Sequence, residues 1–176
     1  MPGAKYYDSI VNINRCYSGI NNESAKACKN FLKSFINIKK YLLFKLERIK
    51  DCETSKILEN SYRAVNIAFL DEWTTFANKI GVNLNRVIDG IKIRTTHNNI
   101  MRPGLGVGGY CLTKDPLFAK ISSDYLFKTH TDFPLTLKSV KINKKMPLNS
   151  LQFLKKKYFM LTVMNVLCLE LNIMTQ

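Results

Sequence analysis

Residues 54–80, TSKILENSYRAVNIAFLDEWTTFANKI, decide the fold of this chain. Ile57, Leu58, Val65, Phe69, Trp73, Phe76 and Ile80 recur at helical spacing, the pattern of one long helix with an apolar stripe. Gly81 follows, a residue suited to the left-handed turn that ends a helix, so the predicted helix runs from Thr54 to about Ile80. Tyr62, Ile67 and Leu70 lie off the stripe. More than one face should therefore be buried, against a partner helix or a second subunit.

The flanks add shorter elements. Residues 1–50 read as a loop with Tyr6 and Tyr7, a short segment through Tyr17, and a helix from about Ser24 to Ile36 with Ala27, Phe31, Leu32 and Phe35 as its apolar positions. Downstream, a second helix runs from Asn83 or Asn85 to Ile93. A glycine-rich loop follows, then a helix from Pro116 to about Ser122 and a further one that stops before Pro147. The tail 158–174, YFMLTVMNVLCLELNIM, carries Asn165, Glu170 and Asn172 and is too short to span a bilayer, so it reads as buried strand or helix. The expected fold class is mainly α.

A chain of 176 residues can build one ordinary domain or two small ones, and 46% hydrophobic residues suffice for a core. The net charge of +14 invites an anionic partner, nucleic acid first. Yet Lys39 and Lys40, Lys144 and Lys145, and Lys155 to Lys157 form short clusters without interleaved aromatics. Solvated lysines explain them better than a nucleic-acid stripe. Cys16, Cys28, Cys52, Cys111 and Cys168 are odd in number and lack the paired spacing of zinc sites or disulfide frameworks, which points to a reducing compartment. The opening MPGAKYYDS lacks the apolar core of a secretory signal, so the expected location is the cytoplasm, with no membrane anchor.

Chemistry concentrates in RPGLGVGGYCLTKDP, residues 102–116. Gly104, Gly106, Gly108 and Gly109 let backbone amides approach a phosphate or sugar, and Cys111 sits at the edge of that surface. Asp115 before Pro116 reads as an N-cap with proline at the first helical position. A helix start and Lys114 near the thiol are the surroundings that activate a cysteine nucleophile. Gly104, Gly106 and Gly109 also match the G-x-G-x-x-G spacing of a dinucleotide turn, but the residues before them, RTTHNNIMRP, are polar and end in proline where that turn needs a buried strand. The match is a decoy. On the long helix, Lys56 and Asn60 are four apart and share a face, which by spacing alone is most simply a solvated one. His97, beside Asn98 and Asn99, reads as a turn residue, although Arg94 and Arg102 nearby would suit an anion.

Together, ETSKILENSYRAVNIAFLDE and PGLGVGGYCLTKDP resemble the central region of the UDP-glucose/GDP-mannose dehydrogenase family, the nucleotide-sugar dehydrogenases. A lysine and an asparagine four apart precede GGYCLTKD by about fifty residues, and YSGINNES resembles the segment that closes the family's first domain. The resemblance covers residues 1–147. It implies three parts: 1–50, the end of an NAD-binding domain; 51–147, a central helical dimerisation and cysteine domain; and 148–176, a degenerate start of the nucleotide-sugar-binding domain. Such a chain would be truncated at both ends, without the cofactor fingerprint.

The family oxidises a sugar primary alcohol to a carboxylate with NAD, in two hydride transfers. By resemblance, Cys111 is the nucleophile that forms a thiohemiacetal and then a thioester, Lys56 and Asn60 stabilise oxyanions, and Asp115 positions or deprotonates the water. Gly106, Gly108 and Gly109 would approach the substrate, Arg94 would reach an anionic group across a homodimer formed by helix 54–80, and Lys114 belongs to the motif without one assigned role. Catalysis would need a nucleotide sugar and a separate Rossmann chain. Two other readings stand beside this one: a noncatalytic dimerising remnant, and a basic nucleic-acid-binding helical module.

Overall fold

A computed structural model describes residues 3–157, and its contacts divide the chain after Lys56 into two compact units. In the first, α1 (Gly3–Val11) precedes β1 (Arg15–Tyr17), α2 (Asn22–Lys33) and β2 (Leu43–Lys45). The two strands pair in parallel, Arg15 opposite Leu43, Cys16 opposite Phe44 and Tyr17 opposite Lys45. A parallel pair needs a crossover, and α2 supplies it. Asn21 caps α2: its side chain accepts the Ser24 N–H at 2.8 Å while Ser24 Oγ accepts the Asn21 N–H at 3.1 Å.

Two expectations for this unit are corrected. The segment bearing Tyr6 and Tyr7 is the helix α1, not a loop. On α2 the inward face holds Ala25, with Ile36 buried just beyond the helix, while Ala27 and Phe31 are exposed. A sheet of two short strands has room to cover only one face of a helix.

The long helix α3 (Ile49–Lys79) has 31 residues and starts earlier than its apolar pattern. Asp51 is the reason. Its carboxylate accepts the backbone N–H of Arg48 at 3.1 Å and holds the Arg48 guanidinium at 2.7 Å, and the hydrogen bond from that guanidinium lowers the carboxyl's pKa. At the other end Gly81 adopts φ +71°, and the Val82 N–H reaches back to the Ala77 carbonyl at 2.9 Å, a Schellman closure.

In the second unit α3 continues into α4 (Leu84–Lys92), a 3-10 turn at Thr95–His97, α5 (Cys111–Ile121), a π turn at Ser122–Leu126, and α6 (Pro134–Lys157). Asn83 caps α4 through the N–H groups of Asn85 and Arg86. Leu70, Ile88, Met146 and Leu151 are buried. The mainly helical class is as expected, and the strands among the described residues are the parallel pair β1 and β2.

Three details of this unit differ from the sequence reading. The buried positions of α3 are Asn60, Ser61, Ala64, Ala68, Leu70 and Ala77, mostly small, whereas Leu58, Phe69, Trp73, Phe76 and Ile80 are exposed. Small side chains let a neighbouring helix approach: Asn143 of α6 donates Nδ2–H to the buried Ala64 carbonyl at 2.9 Å. Second, α6 runs straight through Pro147, giving up one backbone hydrogen bond. Third, α5 starts at Cys111, so Asp115 is inside the helix and is not its cap. Thr113 makes the earlier start, donating its hydroxyl to the Gly109 carbonyl at 2.8 Å. Residues 158–174, read as buried strand or helix, and Cys168 lie outside the described residues. No helix of the described residues is long and apolar enough to cross a membrane.

Gly81→Ala forces a Cβ into left-handed backbone and should lower the stability of the chain by about 1 kcal/mol, read by urea denaturation. Gly90→Ala, inside α4 with open space around its Cβ, should not destabilise.

Candidate functional site

A hydrogen bond joins the two halves of the motif. Asn60, on the inward face of α3, donates Nδ2–H to Asp115 Oδ2 at 2.7 Å across 55 positions of sequence. Asn60 is wholly buried, so the solvated-face reading fails for it. Its Oδ1 is buried with no hydrogen-bond partner among the described residues, as is the neighbouring Ser61 Oγ. Asn143 Oδ1 and Arg15 Nε are buried in the same way, and of these residues Asn60 is the one seen to hold a carboxylate.

Asp115 is largely sheltered, with 15% of its side chain exposed, and its other oxygen takes the Lys114 ammonium at 3.1 Å. Lys114 also lies over the Phe118 ring, 5.0 Å from its centroid. One turn before Asp115, Cys111 is the first residue of α5, exposed and not in a disulfide. Cys111 thus belongs to the first turn of α5, whose N–H groups have no acceptor within the helix.

The glycine loop is tethered at intervals. Before it, the Met101 N–H donates to Asn66 Oδ1 at 3.3 Å and Asn99 donates to the Tyr62 hydroxyl at 3.3 Å, both on α3. Arg102 pairs with Asp89 of α4. In the middle, Gly106 lies against Pro147: a methyl at Gly106 would stand 3.0 Å from the proline Cγ and 3.3 Å from Cδ. Gly108 and Gly109 have open space around them, Gly109 at φ +79°. Behind the loop α5 is tied to α3 by Asp115.

Lys56, Arg94 and His97 are surface residues. Lys56 is exposed on α3, one turn before Asn60. Arg94 is exposed at the head of the 3-10 turn and makes no ion pair among the described residues. His97 is exposed, its Nδ1 2.8 Å from the Thr96 hydroxyl, as a turn residue should be. The sequence gives Ser61, Asn66 and Asn143 no role and presents Pro147 only as a helix stop. Of these only Pro147 carried a usable signal, as a proline that a helix has to accommodate.

The described residues do not fit NAD. Gly104, Gly106 and Gly109 follow irregular chain, not a strand, and the described strands number two. No group of His, Cys, Asp and Glu among the described residues could hold a metal ion.

Residues 50–145 match the family model described as UDP-glucose/GDP-mannose dehydrogenase family, central domain. The chain is similar to the UDP-N-acetyl-D-mannosamine dehydrogenase of Methanococcus vannielii, 40% identical over 120 residues, which cover 67% of this chain and 26% of that protein. It is also similar to the enzyme of that name from Methanocaldococcus jannaschii, 32% identical over 160 residues, 89% of this chain and 34% of that protein. Among solved structures, the UDP-D-ManNAc dehydrogenase of Pyrococcus horikoshii superposes with a TM-score of 0.67 at 32% identity, covering 89% of this chain and 36% of that one. The chain thus spans about a quarter to a third of the length of the curated relatives it matches.

Asn60→Ala strips Asp115 of its buried donor. The folded state should lose about 1–3 kcal/mol in urea denaturation, and an unchanged midpoint would mean the bond contributes nothing.

Proposed function

From the premise that this chain belongs to the UDP-glucose/GDP-mannose dehydrogenase family, we propose that it supplies the cysteine-bearing, dimerising portion of a nucleotide-sugar 6-dehydrogenase. The observation that carries this reading is the Asn60–Asp115 hydrogen bond, which joins both motif halves on the helix that begins with Cys111. The names of the relatives favour a UDP-N-acetylamino sugar as the substrate.

In this reading Cys111 Sγ attacks the aldehyde carbon of the half-oxidised sugar: a C–S bond forms, the carbonyl π pair moves to oxygen, and a proton then neutralises the alkoxide as a thiohemiacetal. Lys56, one turn before Asn60 in the same motif, keeps the oxyanion-stabilising role that the motif implies. Asn60 is too enclosed to meet a sugar directly, so its work is to hold the Asp115 carboxylate. Asp115 then orients the water that cleaves the later thioester, with Lys114 balancing its charge. Gly108 and Gly109, open on their Cβ side, are free to face the substrate, and Arg94 serves an anionic group of the substrate bound by a second copy.

Oxidation is NAD chemistry, which a Rossmann domain outside the described residues has to supply. The chain by itself should give no NADH from UDP-N-acetylmannosamine or UDP-glucose; production of NADH would overturn this division of labour. Iodoacetamide at neutral pH should alkylate Cys111 about tenfold faster than Cys28 or Cys52. Equal rates would remove the activated thiol, leaving the noncatalytic dimerising module.

The second subunit has its own support. Leu58, Tyr62, Phe69, Trp73, Phe76 and Ile80 form an exposed apolar stripe along α3, with Trp73 stacked edge-on with Phe76 at 5.9 Å between centroids. Beside it, Tyr62, Val65, Phe69, Leu135 and Ile142 line a groove of about 640 Å³ between α3 and α6. Such a continuous patch is what a helix pairing with its own copy buries. Phe69→Asp with Trp73→Asp should convert a dimer to a monomer in sedimentation equilibrium, while a parent chain that is already monomeric would refute the pairing.

A further inference from the structure

Gly106 was expected to be a glycine for the sake of a ligand, yet its bare Cα faces a proline of its own chain. A methyl there would lie 3.0 Å from Pro147 Cγ and 3.3 Å from Cδ, closer than a side chain comfortably approaches. Around the other glycines of this loop, Gly104, Gly108 and Gly109, the same test finds open space. The close approach is therefore particular to residue 106.

Pro147 is itself anomalous. It sits well inside α6, where it removes the N–H that would bond the carbonyl one turn back, and no residue is less suited to such a position. Both flanks of Pro147 are tied to α3: Asn143, four residues before it, is buried and donates to the Ala64 carbonyl at 2.9 Å, and Asn149, two residues after it, donates to Asp71 Oδ2 at 3.2 Å. Ala64 is in turn one turn after Asn60. The chain of contacts closes on itself, from Asn60 along α3 to Ala64, across to Asn143, along α6 to Pro147, onto Gly106, through five residues to Cys111, and by Asp115 back to Asn60.

We infer that Pro147 is a positioning residue: its rigid ring is the stop against which Gly106 rests, and that contact fixes where the loop delivers Cys111. The ring suits the task because it has no rotatable side-chain torsion, so it gives way less than a leucine or lysine at the same place would. Gly106 and Pro147 thus form a complementary pair, and the inference rests on the reading of Cys111 as the activated thiol.

A double-mutant cycle on the full chain tests it, with iodoacetamide labelling of Cys111 followed by peptide mass spectrometry and Cys28 and Cys52 as internal references. Gly106→Ala should slow Cys111 labelling by about threefold or more while leaving the reference cysteines unchanged. Removing the ring in the double variant Gly106→Ala/Pro147→Ala should return the rate to within about twofold of the parent. Gly104→Ala, where a methyl meets nothing, should label like the parent. Thermal unfolding of each variant separates a shifted loop from a loosened second unit, since Cys28 and Cys52 lie in the first. The proposal is overturned if Gly106→Ala labels at the parent rate, or if adding Pro147→Ala brings no recovery. Slow labelling of Cys111 in the parent chain is a different failure, that of the activated thiol itself.

Discussion

The hydrogen bond from Asn60 to Asp115 is the contact on which the arrangement of the second unit depends. It couples the middle of α3 to the first turns of α5, and those turns carry the thiol. A buried amide that leaves its own oxygen unmatched is a costly way to join two helices. An apolar pair would hold them as well, but could not fix the orientation of a carboxylate. The polar choice makes sense where the carboxylate has to be aimed.

The two sides of α3 divide the labour by residue size. Ala64 and Ala68 bring neighbouring chain close enough for Asn143 to reach a main-chain carbonyl, and Asn66 and Tyr62 hold the approach to the glycine loop. The large apolar residues are left on the surface, where a second molecule can bury them. The exposed aromatics along α3 form the surface on which the proposed pairing rests. This couples assembly to the site: the helix that would form the dimer is the helix that holds Asp115.

Much of the fold could be read in the residues. The long helix, its glycine stop and the Asn83 cap of α4 all follow from local rules, because periodicity and capping are settled within a few positions of chain. The early start of α3 is legible too, in Asp51 three residues after Arg48, a capping pair that lies before the apolar stripe begins. The inward face of α3 was not legible. Apolar pattern reports which residues avoid water, and it cannot say whether the same chain or a second copy shields them. The start of α5 was misplaced for a similar reason: Asp-Pro is a good helix opening in isolation, and only the Thr113 contact with Gly109 and the tie to Asn60 move the start back to Cys111.

For the site, the sequence alone singled out Cys111 behind its glycine-rich turn beside Lys114, and the polar run RTTHNNIMRP argued against the dinucleotide-like glycine match, whereas Lys56 and Asn60 became candidates only through the family resemblance of KILEN with GGYCLTKD. Those readings rest on side-chain identity and local spacing, which sequence carries. Tertiary structure decided that Asn60 serves Asp115 rather than solvent, and that Gly106 answers to Pro147. Both are contacts between residues about forty to fifty-five positions apart, and such pairings are set by how helices pack, a property no local window of sequence contains.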